Sequence, residues 1–160
     1  MRIQSFKTLF SVLALCLCFL GSNVTFAQDG PTFNTAPLVD PNSATQEELA
    51  AVPGLSAEAV QAVLDKRPFE TPSALHAAIG ESIGEDNQFS VYSAMFIPVK
   101  LNSSSNDDFR LVPSTLTARK LAHEFEEYRP YSSIDQFRRE MSKYVSDEEV
   151  DFLTRYVIVD

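Results

Sequence analysis

The rhythm of apolar and polar positions changes twice along the chain. From Leu9 to Leu20 the residues are almost wholly apolar, behind a start that carries Arg2 and Lys7. From Gln28 to Ala36 there is no period, and Gly30 and Pro31 interrupt a polar stretch. Beyond Leu38, apolar residues recur at helical spacing in short stretches. Val60, Val63 and Leu64 fall on one helical face, and Leu121, Phe125 and Tyr128 fall on another. A hydroxyl precedes each stretch. Thr45 with Glu48, Ser105 with Asp108 and Ser133 with Gln136 have the spacing of a reciprocal capping box. Ser56 and Thr117 can open second helices, and Thr71 ahead of Pro72 a third. Ser146 with Glu149 begins a last helix carrying Val150, Leu153 and Tyr156. Pro53 and Pro113 end the first helix of each series. Two apolar runs, Phe96-Ile97-Pro98-Val99 and Val157-Ile158-Val159, read as extended. The pattern predicts an all-α fold.

The pattern also occurs twice. Asn42-Ser43-Ala44-Thr45-Gln46-Glu47-Glu48-Leu49 with Val52-Pro53 aligns with Asn102-Ser103-Ser104-Ser105-Asn106-Asp107-Asp108-Phe109 with Val112-Pro113, at an offset of 60. After one inserted residue Ser56 meets Thr117, and after another Arg67-Pro68-Phe69 meets Arg129-Pro130-Tyr131. Phe89 through Ile97 align with Val150 through Ile158. Two units of about sixty residues are expected, 38–98 and 99–160, with Leu49/Phe109, Leu64/Phe125, Phe69/Tyr131 and Leu75/Phe137 at matching buried sites. In the recurring Arg-Pro-aromatic step, the proline stops the second helix and the aromatic packs under the turn. The arginine would offset the negative helix end.

The opening 27 residues have the layout of a secretory signal: a positive start, a short apolar run, and small residues up to Ala27. Residues 28–37 form a flexible leader. The apolar run is too short to cross a hydrocarbon core of about 30 Å. A leucine at the place where a lipobox needs a small residue argues against a lipid anchor at Cys16. The mature chain is therefore expected to be exported, to a periplasm, the outside or a lumen, with no membrane span. Cys16 and Cys18 leave with the signal, removing any disulfide, thiol ligand or thiol nucleophile.

Charge narrows the partners. The whole chain carries 13 basic and 22 acidic side chains, net −9. That balance opposes a sequence-blind grip on nucleic acid or anionic lipid. It is uneven: 38–98 holds 2 basic and 9 acidic residues, 99–160 holds 9 and 12. The basic side chains of the second unit include Arg110, Arg119, Lys120, Arg138, Arg139 and Lys143.

The segment Asn42 to Leu55 resembles the opening of the helix-hairpin-helix module of ComEA-like proteins. It is also similar to the helical domain of the type II secretion minor pseudopilin K, where a run like Phe89-Ser90-Val91-Tyr92-Ser93-Ala94-Met95-Phe96 is familiar. A weaker resemblance, around Val112 to Lys120, is to the 12 kDa extrinsic protein of photosystem II. The resemblance implies two tandem helix-hairpin-helix (SAM-like) units. In DNA-binding members, glycine-rich hairpin amides and the following helix N-terminus point at a phosphate. Carried over, that segment is Pro53, Gly54, Leu55 and Ser56 in the first unit. In the second it is Pro113, Ser114, Thr115, Leu116 and Thr117, followed by Arg119 and Lys120. Unit one has Ser56 in place of a second glycine and places Glu58 in the next turn. Unit two has no glycine and is one residue longer. Each hairpin reads either as a phosphate or partner contact or as a plain connector.

Catalysis has little to stand on. His76 and His123 fall in different units, each on a helix surface, and Glu124, Glu126 and Glu127 read as a solvated face. His123-Glu124 starts like a zinc-protease helix, but Glu127 stands where the second histidine belongs. No enzyme, metal, cofactor or small-molecule substrate is expected. Two classes of function remain: a docking module for a protein partner in an envelope or lumenal assembly, and an exported DNA-binding protein of weak affinity.

Overall fold

Among the described residues, the seven α-helices each start on a capping hydroxyl. The computed structural model describes Phe33 and residues 36–160; the expected signal segment 1–27 and most of the leader 28–37 lie outside the described residues. Thr45, Ser56 and Thr71 cap α1 (Gln46–Ala50), α2 (Ala57–Lys66) and α3 (Pro72–Ala94). Ser105, Thr117, Ser133 and Ser146 cap α4 (Asn106–Phe109), α5 (Ala118–Glu127), α6 (Ile134–Met141) and α7 (Asp147–Leu153). Each hydroxyl accepts a backbone N–H that the first turn leaves without an intrahelical partner. The boxes at Thr45/Glu48 and Ser105/Asp108 are reciprocal. The expected box at Ser133 is one-sided, because Gln136 accepts from the Ser132 amide and hydroxyl instead, both at 2.9 Å.

α3 breaks at Gly84, whose φ of 67° and ψ of 164° belong to a region only glycine occupies at low cost. The break divides α3 into 72–83 and 85–94, so each half of the chain has four helical segments. His76 pins the two pieces: its Nδ1 lies 2.8 Å from the Tyr92 hydroxyl. The imidazole is thus half-buried, not on the open helix surface that the sequence suggested.

The same bonds recur in both halves. The Asn42 side chain donates to the Phe69 carbonyl and accepts from the Phe69 amide, and Asn102 does the same with Tyr131. Arg67 donates to the Ala44 carbonyl, and Arg129 to those of Leu101 and Ser104. These arginines hold the loop ahead of the first helix, whereas the sequence suggested that they serve the negative end of the second. Both Arg–Pro bonds are cis. The fold is mostly helical but not wholly so. Val39 bridges Met95 in parallel, and β1 (Val99–Lys100) pairs in parallel with β2 (Val157–Ile158). Each half is thereby tied where it begins and ends. These bridges set Met95 opposite Val157 in the alignment of the halves, one residue beyond the sequence register. The 3-10 turn Thr154–Tyr156 absorbs the difference.

Burial shifts the register in one other place. Leu49, Phe109, Phe69, Tyr131, Leu75 and Phe137 are all buried, as expected. Leu64 is only half-buried, and Val63, at 0% exposure, takes the position that Phe125 takes in the second half. α5 begins one residue earlier relative to its buried face than α2 does. Edge-to-face rings join Phe109, Phe125, Phe137 and Tyr131 in sequence, with centroids 5.2, 5.2 and 5.9 Å apart. A second series runs Tyr92, Phe96, Tyr156, Phe152 and joins the two halves. Such pairs contribute about 0.5–1.5 kcal/mol each beyond area burial. Asp108 adds a polar join: its Oδ1 accepts from the Ser73 amide and hydroxyl at 3.0 and 2.6 Å. The described residues belong to one compact unit, Pro31–Asp160.

Candidate functional site

The hairpin of the first half is packed against its own fourth helix. Gly54 has φ +83°, and a Cβ there would stand 3.3 Å from the Asn87 side chain and 3.4 Å from Val91. Ser90 Oγ donates to the Pro53 carbonyl at 3.4 Å. The glycine is needed for the turn and for the close approach of helix 85–94. Ser56 uses its oxygen to cap α2, and Leu55 is half-buried.

The hairpin of the second half is closed by a carboxylate. Glu149, 2% exposed on α7, accepts from Ser114 Oγ at 2.6 Å and from the Thr115 amide at 2.7 Å, both on Oε1. Its Oε2 accepts from Thr115 Oγ1 at 2.5 Å. The donors that the resemblance assigns to a phosphate are taken up by a carboxyl group of the chain itself. Leu116 donates to Ser114 Oγ, and Pro113 is buried. Glu149 and Asn87 occupy the same place in the two halves, each lying over a hairpin. The sequence showed Glu149 only as the third residue after a capping serine, a spacing that hides a contact 34 residues away.

Both hairpins flank helix 85–94. Asn87, Ser90 and Val91 face the first. Glu85, Gln88, Phe89 and Tyr92 line a cavity of about 230 Å3 with residues 110–114 and Leu116 of the second. Beside it, Arg110, Arg119, Lys120 and His123 line a groove of about 460 Å3 between α4 and α5, shared with Glu124 and Glu126.

The expected basic cluster is therefore divided. Arg138 pairs with Asp151, while Arg139 and Lys143 both pair with Glu140. Lys120 lies 3.7 Å from Glu124 Oε1 and 5.0 Å from the Tyr144 ring centroid. Among the described residues, Arg110 and Arg119 make no ion pair.

Glu124 departs from the solvated face expected of it: it is 4% exposed. The helix turns it inward beside Tyr144, whose phenol is held above its ordinary range by the Tyr128 hydroxyl 2.7 Å away and by the Glu124 carboxylate. His123, Glu124 and Glu127 bring ligand atoms within 4.8 Å of one another. His123 lies 3.5 Å from Glu127 and Lys120 sits on Glu124, so a cation would have to displace both contacts. Burial raises the Tyr92 phenol well above its usual value and keeps it a neutral partner for His76. Neither histidine stands beside a nucleophile–base pair in the described residues. No helix among the described residues is long and apolar enough to cross a membrane. Compared with known proteins, the chain matches no family model, no curated protein and no solved structure.

Proposed function

We propose that the chain is an exported, non-catalytic body of two tandem helix-hairpin-helix units that docks onto a protein partner in an envelope or lumenal assembly. The observation that carries this reading is the closure of the hairpins. Glu149 fills the donors of the second, and helix 85–94 packs onto the first. The recurring asparagine, arginine and strand contacts support the tandem arrangement. Export rests on the charged, apolar and small-residue succession before Gln28. The exported protein should begin at Gln28 when its N-terminus is sequenced; an intact Met1 end would overturn this.

A second reading, phosphate contact with duplex DNA, draws on one observation: Arg110, Arg119 and Lys120 line a single groove next to the second hairpin. Each phosphate neutralised adds about 0.9 to the slope of log affinity against log salt. With two unpaired cations lining the groove, on an exported body whose net charge without Arg2 and Lys7 is −11, screened over about 8 Å at physiological salt, binding should be weak. Titration of labelled duplex at two salt concentrations should show binding only at low salt, lost in Arg119→Glu/Lys120→Glu. Submicromolar affinity at physiological salt would put DNA first.

A further inference from the structure

The docking reading gains a surface and a partner chemistry from two features that meet at Arg110. The first is apolar. Phe89 and Ile158 are the large apolar side chains left exposed among the described residues, at 44% and 45%. Phe89 stands on helix 85–94 at the cavity shared with Leu111 and Leu116, which are themselves half-buried. The second feature is charge. Arg110 and Arg119 make no ion pair among the described residues, in a chain where acidic side chains outnumber basic ones. Arg110 lines both the apolar cavity and the cationic groove, so the two run into one another.

Resting on the docking reading, we propose that this surface binds an acidic peptide segment of a partner protein. One bulky apolar side chain seats beside Phe89, Leu111 and Leu116, and carboxylates lie over Arg110 and Arg119. Anchors of this kind supply most of an interface's affinity, while complementary charge sets direction and association rate. A phosphodiester backbone makes no use of the apolar cavity beside Phe89.

The test is selection from a random-peptide display library on the purified full chain, followed by titration of the enriched peptides. Enriched sequences should carry Asp or Glu within a few residues of a Phe, Leu or Trp. Phe89→Ser and Arg110→Glu/Arg119→Glu should each weaken binding about tenfold or more. Arg138→Glu/Arg139→Glu, on α6, should leave it unchanged, and thermal melts should show all three variants folded. Enriched peptides that are basic, or that bind the groove variants as tightly as the unaltered chain, overturn this surface while leaving docking in place. A dimer of the chain lost in Phe89→Ser makes the occupant a second copy and overturns the peptide. If no peptide is enriched, the acidic-peptide surface is overturned, while docking onto a folded partner is left in place.

Discussion

A carboxylate's role depends on which donors the fold brings to it, and Glu149 and Asp108 illustrate how far that departs from sequence spacing. Both stand three residues after a capping serine. Asp108 returns to its cap, as a capping box requires, and reaches Ser73 besides. Glu149 leaves its cap and holds the distant Ser114–Thr115 hairpin. The local half of each role was legible, since caps are local chemistry. The long-range half was not, because nothing in a Ser-x-x-Glu spacing specifies a partner tens of residues away. Glu149→Ala would strand an amide and two hydroxyls, and should cost about 2–3 kcal/mol in urea unfolding. Glu149→Gln keeps one acceptor oxygen and should cost about half of that. An unchanged midpoint in both variants would show that water serves the hairpin equally well.

At the scale of elements, what was legible was what depends on near neighbours. Helix starts, the proline stops and most of the buried face followed from hydroxyls, prolines and period. The two-residue strands did not, because a parallel bridge that short is decided by where the helices deliver the chain. The register of α2 against α5 was also beyond reach: Val63 and Leu64 are both apolar and adjacent, so either can be matched to Phe125 until packing chooses. Glu124 was misread for a related reason, since a glutamate among glutamates signals solvent unless a neighbouring element covers it. The break in α3 offers a direct check. Nothing lies within 4 Å of a Cβ at Gly84, so Gly84→Ala tests the backbone alone. It should lower stability by about 1–3 kcal/mol, the range for a residue forced into that region. A neutral or stabilising outcome would mean that the two pieces of α3 can straighten.

For the whole molecule, the joint between halves is partly polar and therefore dependent on pH. Burial raises the Asp108 carboxyl, but hydrogen bonds from the side chains and backbones of Ser73 and Ser105 together outweigh it, so the net shift is down from the ordinary 3.8. A depressed value means that the stabilising form is the anion. Its contribution is complete above the unfolded carboxyl's value and is lost as pH falls through the folded one. Asp108→Asn should be less stable than the unaltered chain at pH 7, and the gap should close as pH falls below about 4. Urea midpoints across that window read it, and a gap independent of pH would assign the loss to packing. The candidate surface was the least legible feature. Phe89 looked like one more apolar residue in a helix, and its exposure follows from the break at Gly84, which fixes how helix 85–94 is turned.

The two halves share residues 95–101: Met95 closes the first half against Val39, and four residues later Val99 is already pairing with Val157. From Met95 to Leu101 only Pro98 and Lys100 are exposed, so no loose connector separates the halves. A surface assembled from helix 85–94 and residues 110–116 therefore has its components fixed relative to one another before anything arrives. Little conformational entropy remains to be surrendered on association, and that is the loss that most often makes small interfaces weak.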